Sequence, residues 1–392
     1  AELATLFYSP VAWFILVVFA FQVGMTFVGL MEEKAQANTL GYAWGMQTAS
    51  LLGGMRGLYT IVQQYLYLYM PLLTMSLMSR EYSSGSIKLL YASPVTSTHI
   101  ILGKFLSMML YGLVLMGVLF IMVLFAGCVI DNFGFKEALV GLLGLYLLLC
   151  AYASIGLFVS SLTSYQVVAG IGTLVILAAL NYVNQVGQSY DFVRDITYWL
   201  CISGRSGEMI AGLICSEDLL YFLLVITLFV SLSILRLQAE RTKRTVSQNA
   251  LRYGGVIMAT LLIGYFSARP ALRCYYDATE MKENTLTQNS IDIMKKLDGP
   301  LTITTYVNMF DENYFRALPR YYNEDFNRFE KYIRFKPEIK MKYVYYYDKT
   351  DNPTLEQRYP GLTDEQRLKK ICDALDWDVK RVLTPEQIRA KE

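Results

Sequence analysis

The residues of this sequence with the clearest capacity for chemistry lie between Met70 and Ser107. An Arg80-Glu81 pair is followed by the serine-rich turn Ser83–Ser86, and a Gly103-Lys104 pair follows further along. Hydroxyls and charges in this pattern cap helix ends and form ion pairs, but they supply no nucleophile with an adjacent base. The stretch therefore indicates noncovalent binding to a partner.

A short amphipathic helix is predicted in the middle of this stretch. Pro71 should bend the spanning helix before it, because proline removes a helix hydrogen bond. The hydroxyls of Ser83–Ser86 can cap a helical run from Ile87 to Tyr91, Pro94 ends that run, and Gly103-Lys104 opens the next span. A helix pinned between two spans can pass a push from a soluble partner to both. The alternative is an ordinary polar loop.

Several classes of enzyme are excluded by missing motifs. There is no G-x-x-x-x-G-K-[ST] phosphate loop, since Gly103-Lys104 is followed by Phe105, and there is no G-x-S-x-G or H-E-x-x-H motif. His99 is the single histidine, and the six cysteines show no CxxC spacing. We therefore expect no catalytic residue, no metal and no cofactor in this chain.

Composition indicates a membrane protein. Apolar residues make up 54% and charged residues 17%, and 25 of the charges lie in positions 1–266 against 43 in the remaining 126. The first part should be embedded in lipid and the last part exposed to water. The net charge of +2 gives no reason to expect nucleic acid as a partner.

Seven apolar segments are long enough, or nearly so, to cross a bilayer core of about 30 Å. They are Val11–Leu30, Leu58–Met78, Phe105–Val129, Ala138–Val159, Val167–Tyr182, Leu219–Leu235 and Tyr253–Phe266.

The distribution of lysine and arginine predicts the orientation of these spans. One set of loops holds eight basic residues and the other set five, and the basic side is expected to be cytoplasmic. The N-terminus should thus lie inside, and everything after Phe266 outside. The eight are Arg80, Lys88, Lys104, Arg236, Arg241, Lys243, Arg244 and Arg252, and the five are Lys34, Arg56, Lys136, Arg194 and Arg205.

The stretch from Met70 to Ser107 resembles the signature of ABC type-2 permeases, most closely the gliding-motility-associated (GldF-like) family. The match comprises Pro71, Leu72, Leu73, Thr74, Met75, Glu81, Gly85, Leu89, Leu90, Pro94, Val95, Gly103, Lys104 and Phe105. The departures are Ser76, Arg80, Ser86 and Lys88, where that family has Arg, Glu, Thr and Glu. With Phe7–Trp13 and the turn Ser161–Gln166, the resemblance covers about residues 1–240.

The resemblance implies that a separate ATPase subunit docks on a coupling helix in this loop. The residues assigned to it are Glu81, Ser84, Gly85, Ser86, Lys88, Leu89, Leu90 and Pro94. Arg80 and Lys88 reverse the family's charge, which indicates an ATPase surface that has changed in step.

Three polar residues inside the spans define a predicted substrate path, namely Gln63, Gln64 and Asn181. Such residues usually face a bundle interior or a wet cavity. The alternative is hydrogen bonding between helices. The outer loop Val183–Asp218 should form short helices, and its Cys201 and Cys215 either pair or stay free.

The region after the last span has the pattern of a βαβ unit. A capped helix at Thr287–Leu297, a strand at Leu301–Val307, helix at about Asn313–Phe335 and a strand at Ile339–Tyr347 are predicted. The segments Asp277–Thr287 and Asp298–Thr304 resemble the start of the gliding-associated (GldG-like) auxiliary domain. We expect the chain to be truncated at both ends relative to the gene product.

These observations predict an all-α polytopic membrane protein, six ABC type-2 exporter helices plus a seventh, followed by a partial α/β extracytoplasmic domain. The predicted domains are a permease at 1–240, a linker and seventh helix at 241–269, and a GldG-like domain at 270–392. The permease should work in a bacterial inner membrane with an ATPase that binds ATP and Mg, and with a second permease copy or paralogue. A non-transporting anchor of an envelope or gliding machinery is the alternative, and lipid, polysaccharide and protein are all compatible substrates.

Overall fold

The computed structural model describes residues 2–41, 48–188, 190–242, 245–267, 269, 273–297, 299–375 and 377–390. The chain divides into two compact units. The first comprises Ala1–Asn184 and Trp199–Asn284, and the second comprises Gln185–Tyr198 and Thr285–Glu392.

The first unit is a helical bundle with a two-stranded antiparallel sheet. Its helices are α1 Glu2–Phe7, α2 Pro10–Thr39, α3 Leu58–Thr74, α4 Ser79–Ser84, α5 Ile87–Ala92, α6 Ser97–Val129, α7 Phe135–Ser160 and α8 Gln166–Tyr182. They are followed by α9 Asp191–Leu200, whose first part belongs to the second unit, then α10 Ile202–Ile210, α11 Ser216–Arg241 and α12 Val246–Ser267. Strands β1 Leu213–Cys215 and β2 Tyr275–Asp277 form the small sheet.

Among the described residues, six helices are long and apolar enough to cross a membrane, which confirms a polytopic membrane protein. They are Pro10–Thr39, Ser97–Val129, Phe135–Ser160, Gln166–Gln185, Ser216–Arg241 and Val246–Ser267. The segment predicted as Leu58–Met78 is shorter, because α3 ends at Thr74 after 17 residues. Pro71 lies in its last turn, where its missing N–H leaves the carbonyl of Tyr67 without the usual helical donor.

The third span begins earlier than predicted. Thr96 caps α6 by accepting a hydrogen bond from the backbone N–H of His99 at 3.3 Å, so the helix starts at Ser97 instead of Phe105. The prediction that Gly103-Lys104 opens this span is therefore wrong. Both residues lie inside the helix, because a Thr cap after Pro94 is a stronger start signal than an internal glycine.

Helix α7 is the centre of the bundle, and 72% of the residues in its most apolar 18-residue stretch are buried. Its glycines bring neighbouring helices close. A Cβ on Gly156 would lie 2.1 Å from Thr74 Oγ1, and one on Gly144 would lie 2.6 Å from Met209 Cβ. Small residues permit this approach in membranes, where van der Waals packing replaces the hydrophobic drive between helices.

The predicted outer loop Val183–Asp218 does form short helices. Within the first unit, α10 packs against α7 with Ile202 and Met209 fully buried. Cys201 and Cys215 are both free thiols with separate partners: Cys201 contacts the carbonyl of Asn181, and Cys215 donates to Glu208.

The second unit contains the predicted βαβ unit. Its strands β3 Thr302–Asn308 and β4 Lys340–Tyr346 pair in parallel, as predicted, from Thr302 opposite Lys340 to Asn308 opposite Tyr346. Its helices are α13 Gln288–Lys296, capped by Thr287, then α14 Tyr322–Ile333, α15 Pro353–Arg358, α16 Asp364–Leu375 and α17 Pro385–Arg389. Asp298, part of the GldG-like motif, lies outside the described residues, as do Lys243 and Arg244 of the basic cluster.

The predicted orientation can be tested by labelling single cysteines. Cys128 and Cys274 are exposed thiols, so both are first replaced by serine. A membrane-impermeant maleimide should then label Asp351→Cys in intact cells, and should label Thr242→Cys only after permeabilisation. Both positions are exposed, so accessibility within the fold does not limit the reaction. The reverse pattern would reject the orientation.

Candidate coupling site at the end of helix α3

The backbone that leaves α3 is fixed by one hydroxyl of α7. Ser160 Oγ accepts hydrogen bonds from the N–H groups of Met78 at 2.9 Å and Ser79 at 3.1 Å, and donates to the carbonyl of Met75 at 3.1 Å. Ser160 is fully buried, and its donor and both acceptor positions are used. The end of α3 is therefore tied to the end of α7.

A sharp turn at Gly85 joins the two short helices α4 and α5. Its φ of +74° is a left-handed conformation that glycine adopts without steric cost. Ser86 precedes α5, but its hydroxyl does not cap that helix; it donates to the carboxylate of Glu81 in α4. The predicted capping is not formed at Ser86, because its backbone (φ −62°, ψ −18°) is already helical, whereas an N-cap residue usually has extended backbone.

Glu81 also connects this turn to α6. Lys104 Nζ lies 3.3 Å from Glu81 Oε1, and the lysine is only 3% exposed. Burial by itself would raise the pKa of Glu81, but the hydrogen bond from Ser86 and the charge of Lys104 outweigh it and lower the pKa. The carboxylate is therefore ionised at neutral pH, and its contribution to stability is lost only as the pH falls through that lowered pKa.

The other end of α5 is held by the last turn of α11. Arg241 donates from Nη1 to the carbonyl of Val95 at 2.8 Å, and from Nη2 to those of Tyr91 and Ser93 at 3.1 Å each. A cation at a helix C-terminus satisfies carbonyls that have no partner within the helix. We call this set of contacts the Arg241 clamp.

Tyr91 adds a second link to α11. Its hydroxyl donates to Glu240 Oε2 at 2.8 Å, and Glu240 is itself paired with Arg236 at 2.8 Å. Burial and the hydrogen bond to Glu240 raise the pKa of Tyr91 to about 12, so the phenol stays protonated as a donor. In the sequence, Arg236 and Arg241 indicate only the topology, and no local pattern singles out Glu240 or Ser160.

The predicted coupling residues differ in what they expose. Leu89 is 75% exposed, and Lys88 and Pro94 are also exposed, as are Ser84 and Gly85. The other predicted residues face the protein: Leu90 packs partly against the main core, and Glu81 and Ser86 are half-buried. Ile87, the first residue of α5, is buried. A partner approaching α5 therefore meets Lys88 and Leu89, but not Leu90.

The three polar residues of the predicted substrate path have different surroundings. Gln63 is buried and donates to Ser203 O at 2.6 Å and Ser206 Oγ at 2.8 Å, both in α10. Asn181 accepts from Tyr152 Oη of α7 at 2.8 Å. These contacts favour the alternative of bonding between helices for both residues, whereas Gln64, about 100° further round α3, is exposed.

A group of acidic and thiol side chains lies between α10 and α11. The ligand atoms of Glu208, Cys215 and Asp218 lie within 4.8 Å of one another, the one such group in the part of the chain that the structure describes. Arg205 contacts both Asp218 and Glu217 at 3.0 Å. Because a guanidinium already balances the buried carboxylates, we interpret the group as internal charge pairing.

These contacts bring the ends of α3, α7 and α11 together with the start of α6, as expected where successive membrane helices alternate in direction. Comparison with protein families matches residues 1–267 to the ABC-2 family transporter proteins. The chain belongs to the ABC-2 transporter family. The match includes α12, which the resemblance to residues 1–240 left out. No curated protein and no solved structure matches this ABC-2 protein.

Family membership identifies the chain as the membrane component of a transporter. Such components work in the bilayer and typically act with an ATPase. The family match does not confirm the finer resemblance to GldF-like and GldG-like proteins.

The link between α3 and α7 predicts a measurable loss of stability. Ser160→Ala leaves the N–H groups of Met78 and Ser79 buried without their acceptor, at a cost of about 1–3 kcal/mol for each such group. The midpoint of thermal unfolding in detergent micelles should therefore fall clearly.

Ser161→Ala is the matched control. Its hydroxyl is equally buried but donates to Phe158 O of its own helix at 2.6 Å, so this variant should unfold close to the parent. Equal midpoints for the two variants would contradict the role of Ser160.

Proposed function

We propose that this chain is the permease subunit of an ABC exporter, in which α5 receives the motion of a separate ATPase. One observation supports this above all. A short helix with an exposed Leu89 is attached on both sides to different spanning helices. Before it, Ser86 bonds to Glu81, which pairs with Lys104 of α6, and after it lies the Arg241 clamp. A polar loop that serves only as a connection needs neither the attachments nor the exposed leucine.

The attachments suggest how a push would spread through the bundle. A displacement of α5 would move α6 through Lys104 and α11 through Arg241, while Ser160 carries it to α7. These contacts join rigid helices, so a movement at one end can be transmitted along their length. ATP-driven closure of the ATPase would in this way switch the permease between inward and outward states.

ATP and Mg are assigned to the partner, because the sequence has no phosphate loop. The ATPase would present an apolar groove to Leu89. Lys88 and Arg80 add positive charge beside it, so acidic residues are expected around that groove. This fits the charge reversals by which the chain departs from the GldF-like pattern.

The remaining parts of the assignment follow from the resemblance and from charge. The permease would pair with a second copy or a paralogue, in the inner membrane of a bacterium, with its N-terminus in the cytoplasm and residues 270–392 outside as a GldG-like domain. The substrate path is proposed to include Gln64, the exposed member of the predicted set, with Gln63 and Asn181 supporting the helices around it.

The docking role of α5 is tested by one substitution. Leu89→Asp places a charge where the ATPase presents apolar surface, and burial of an unpaired charge costs several kcal/mol, so docking should weaken by orders of magnitude. The permease should express and remain monodisperse, since Leu89 is 75% exposed, but the ATPase should be lost on co-purification.

Leu162→Asp is the control for this experiment. Leu162 is 50% exposed in the turn Ser161–Gln166, a second place where an ATPase could dock. This variant should retain the ATPase. Retention by Leu89→Asp together with loss by Leu162→Asp would move the docking surface to that turn. Leu90→Asp is unsuitable, because Leu90 packs against the core.

Arg241 is expected to transmit motion without binding the ATPase. Arg241→Ala removes three contacts to the end of α5, so the ATPase should still co-purify, but its stimulation by the permease should fall by about tenfold, a size typical of coupling between two sites. Arg252→Ala is the control, since Arg252 contacts Gln238 at 3.1 Å. Unchanged stimulation in Arg241→Ala, or equal losses in both variants, would refute the clamp.

A further inference from the structure

Strand β4 of the second unit has one fully paired side and one partly open side. Strand β3 pairs along its whole length on the first side. On the other side Leu383 covers only the C-terminal end: its N–H donates to Tyr345 O at 2.8 Å, and its carbonyl accepts from the N–H of Tyr347. Among the described residues, no strand covers the N-terminal half of this edge.

The direction of each backbone group follows from these bonds. In a strand within a parallel sheet, successive residues direct their N–H and C=O groups to alternate sides. Lys340 N donates to Leu301 O at 2.9 Å on the β3 side, so Met341 and Tyr343 direct theirs to the open side. Within the described part of the chain these backbone groups have no hydrogen-bond partner. An open edge of this kind can accept a further strand.

A cavity of about 570 Å³ lies against this edge, within the second unit. Four cationic residues line it, Arg194, Lys340, Lys342 and Arg381, and none of its described lining residues is acidic. Arg194 is 8% exposed and stacks 3.5 Å above the ring centre of Tyr322. The cavity therefore favours an anionic occupant.

Aromatic rings line one face of the edge, because Tyr343 and Tyr345 are two residues apart in β4 and project to the same face. Tyr322 packs edge-on against Tyr343 with ring centres 5.5 Å apart, and Tyr345 packs against Trp377 at 4.8 Å. Rings held in this way provide rigid surfaces for the side chains of a bound segment at low entropic cost.

We propose that the open edge of β4 binds an acidic segment of another protein in extended conformation, as an added strand. Main-chain hydrogen bonds to Met341 and Tyr343 would provide affinity, and the cations and rings around them would select acidic side chains. The uncovered edge from Lys340 to Val344 has room for about five residues at 3.3 Å each. An acidic saccharide could use the same cations, but it has no alternating N–H groups to match the edge.

The experiment uses the full chain in detergent micelles and a fluorescein-labelled peptide, Glu-Val-Glu-Val-Glu with blocked ends. Fluorescence anisotropy should show saturable binding. Two further peptides are N-methylated, one at both valines and one at the three glutamates. Binding should be lost for one of them and retained for the other, because only alternate N–H groups of an added strand face β4.

Charge swaps test the selection of acidic side chains. The double variant Lys340→Glu and Lys342→Glu should bind the peptide about tenfold more weakly or worse. Lys349→Glu, at an exposed lysine outside the cavity, should bind normally, and circular dichroism confirms that each variant is folded. Equal binding of both N-methylated peptides would overturn the proposal. It would also be overturned if a uronic acid oligosaccharide displaced the labelled peptide at a lower concentration than the unlabelled peptide does.

Discussion

The attachment of one short helix to the ends of several long ones is the constraint on which the proposed function depends. Helix α5 has two turns, too few to be stable in isolation, since isolated helices shorter than about 12–15 residues are marginal in water. Its position is set instead by contacts on either side of it. Ser86 bonds to Glu81 of α4, which pairs with Lys104, and Arg241 bonds to three carbonyls at the other end. If these contacts were absent, Leu89 would lie on a loop that could move without moving the bundle.

The bundle provides the rigidity that such a mechanism requires. Helix α7 is largely enclosed, and its glycines let α3 and α10 approach to distances at which a methyl group would collide. Ser160 stands at the end of this packed helix and holds the exit of α3 by three hydrogen bonds. The dense centre and the proposed coupling surface are thus parts of one connected set of contacts.

The polar side chains inside the helices illustrate how a plausible functional interpretation can have a structural explanation. Gln63 and Asn181 were selected because polar groups in a membrane are costly. Their hydrogen bonds to α10 and α7 offset that cost within the bundle. The ion pairs of Arg205 do the same for the carboxylates of Glu217 and Asp218.

Local patterns in the sequence were sufficient for six of the seven predicted spans, the turn at Gly85 and the parallel βαβ unit, because length, hydropathy and turn chemistry are properties of neighbouring residues. Thr96 also marks the start of α6 locally, although the nearby Gly103-Lys104 pair suggests a later start. Tertiary structure alone decided which residues hold α5. Arg241 is 146 residues from Val95, and no periodicity links them. It also decided that Leu89 faces outward while its neighbour Leu90 packs on the core, because a helix turns about 100° per residue and only the position of the bundle fixes which side is covered.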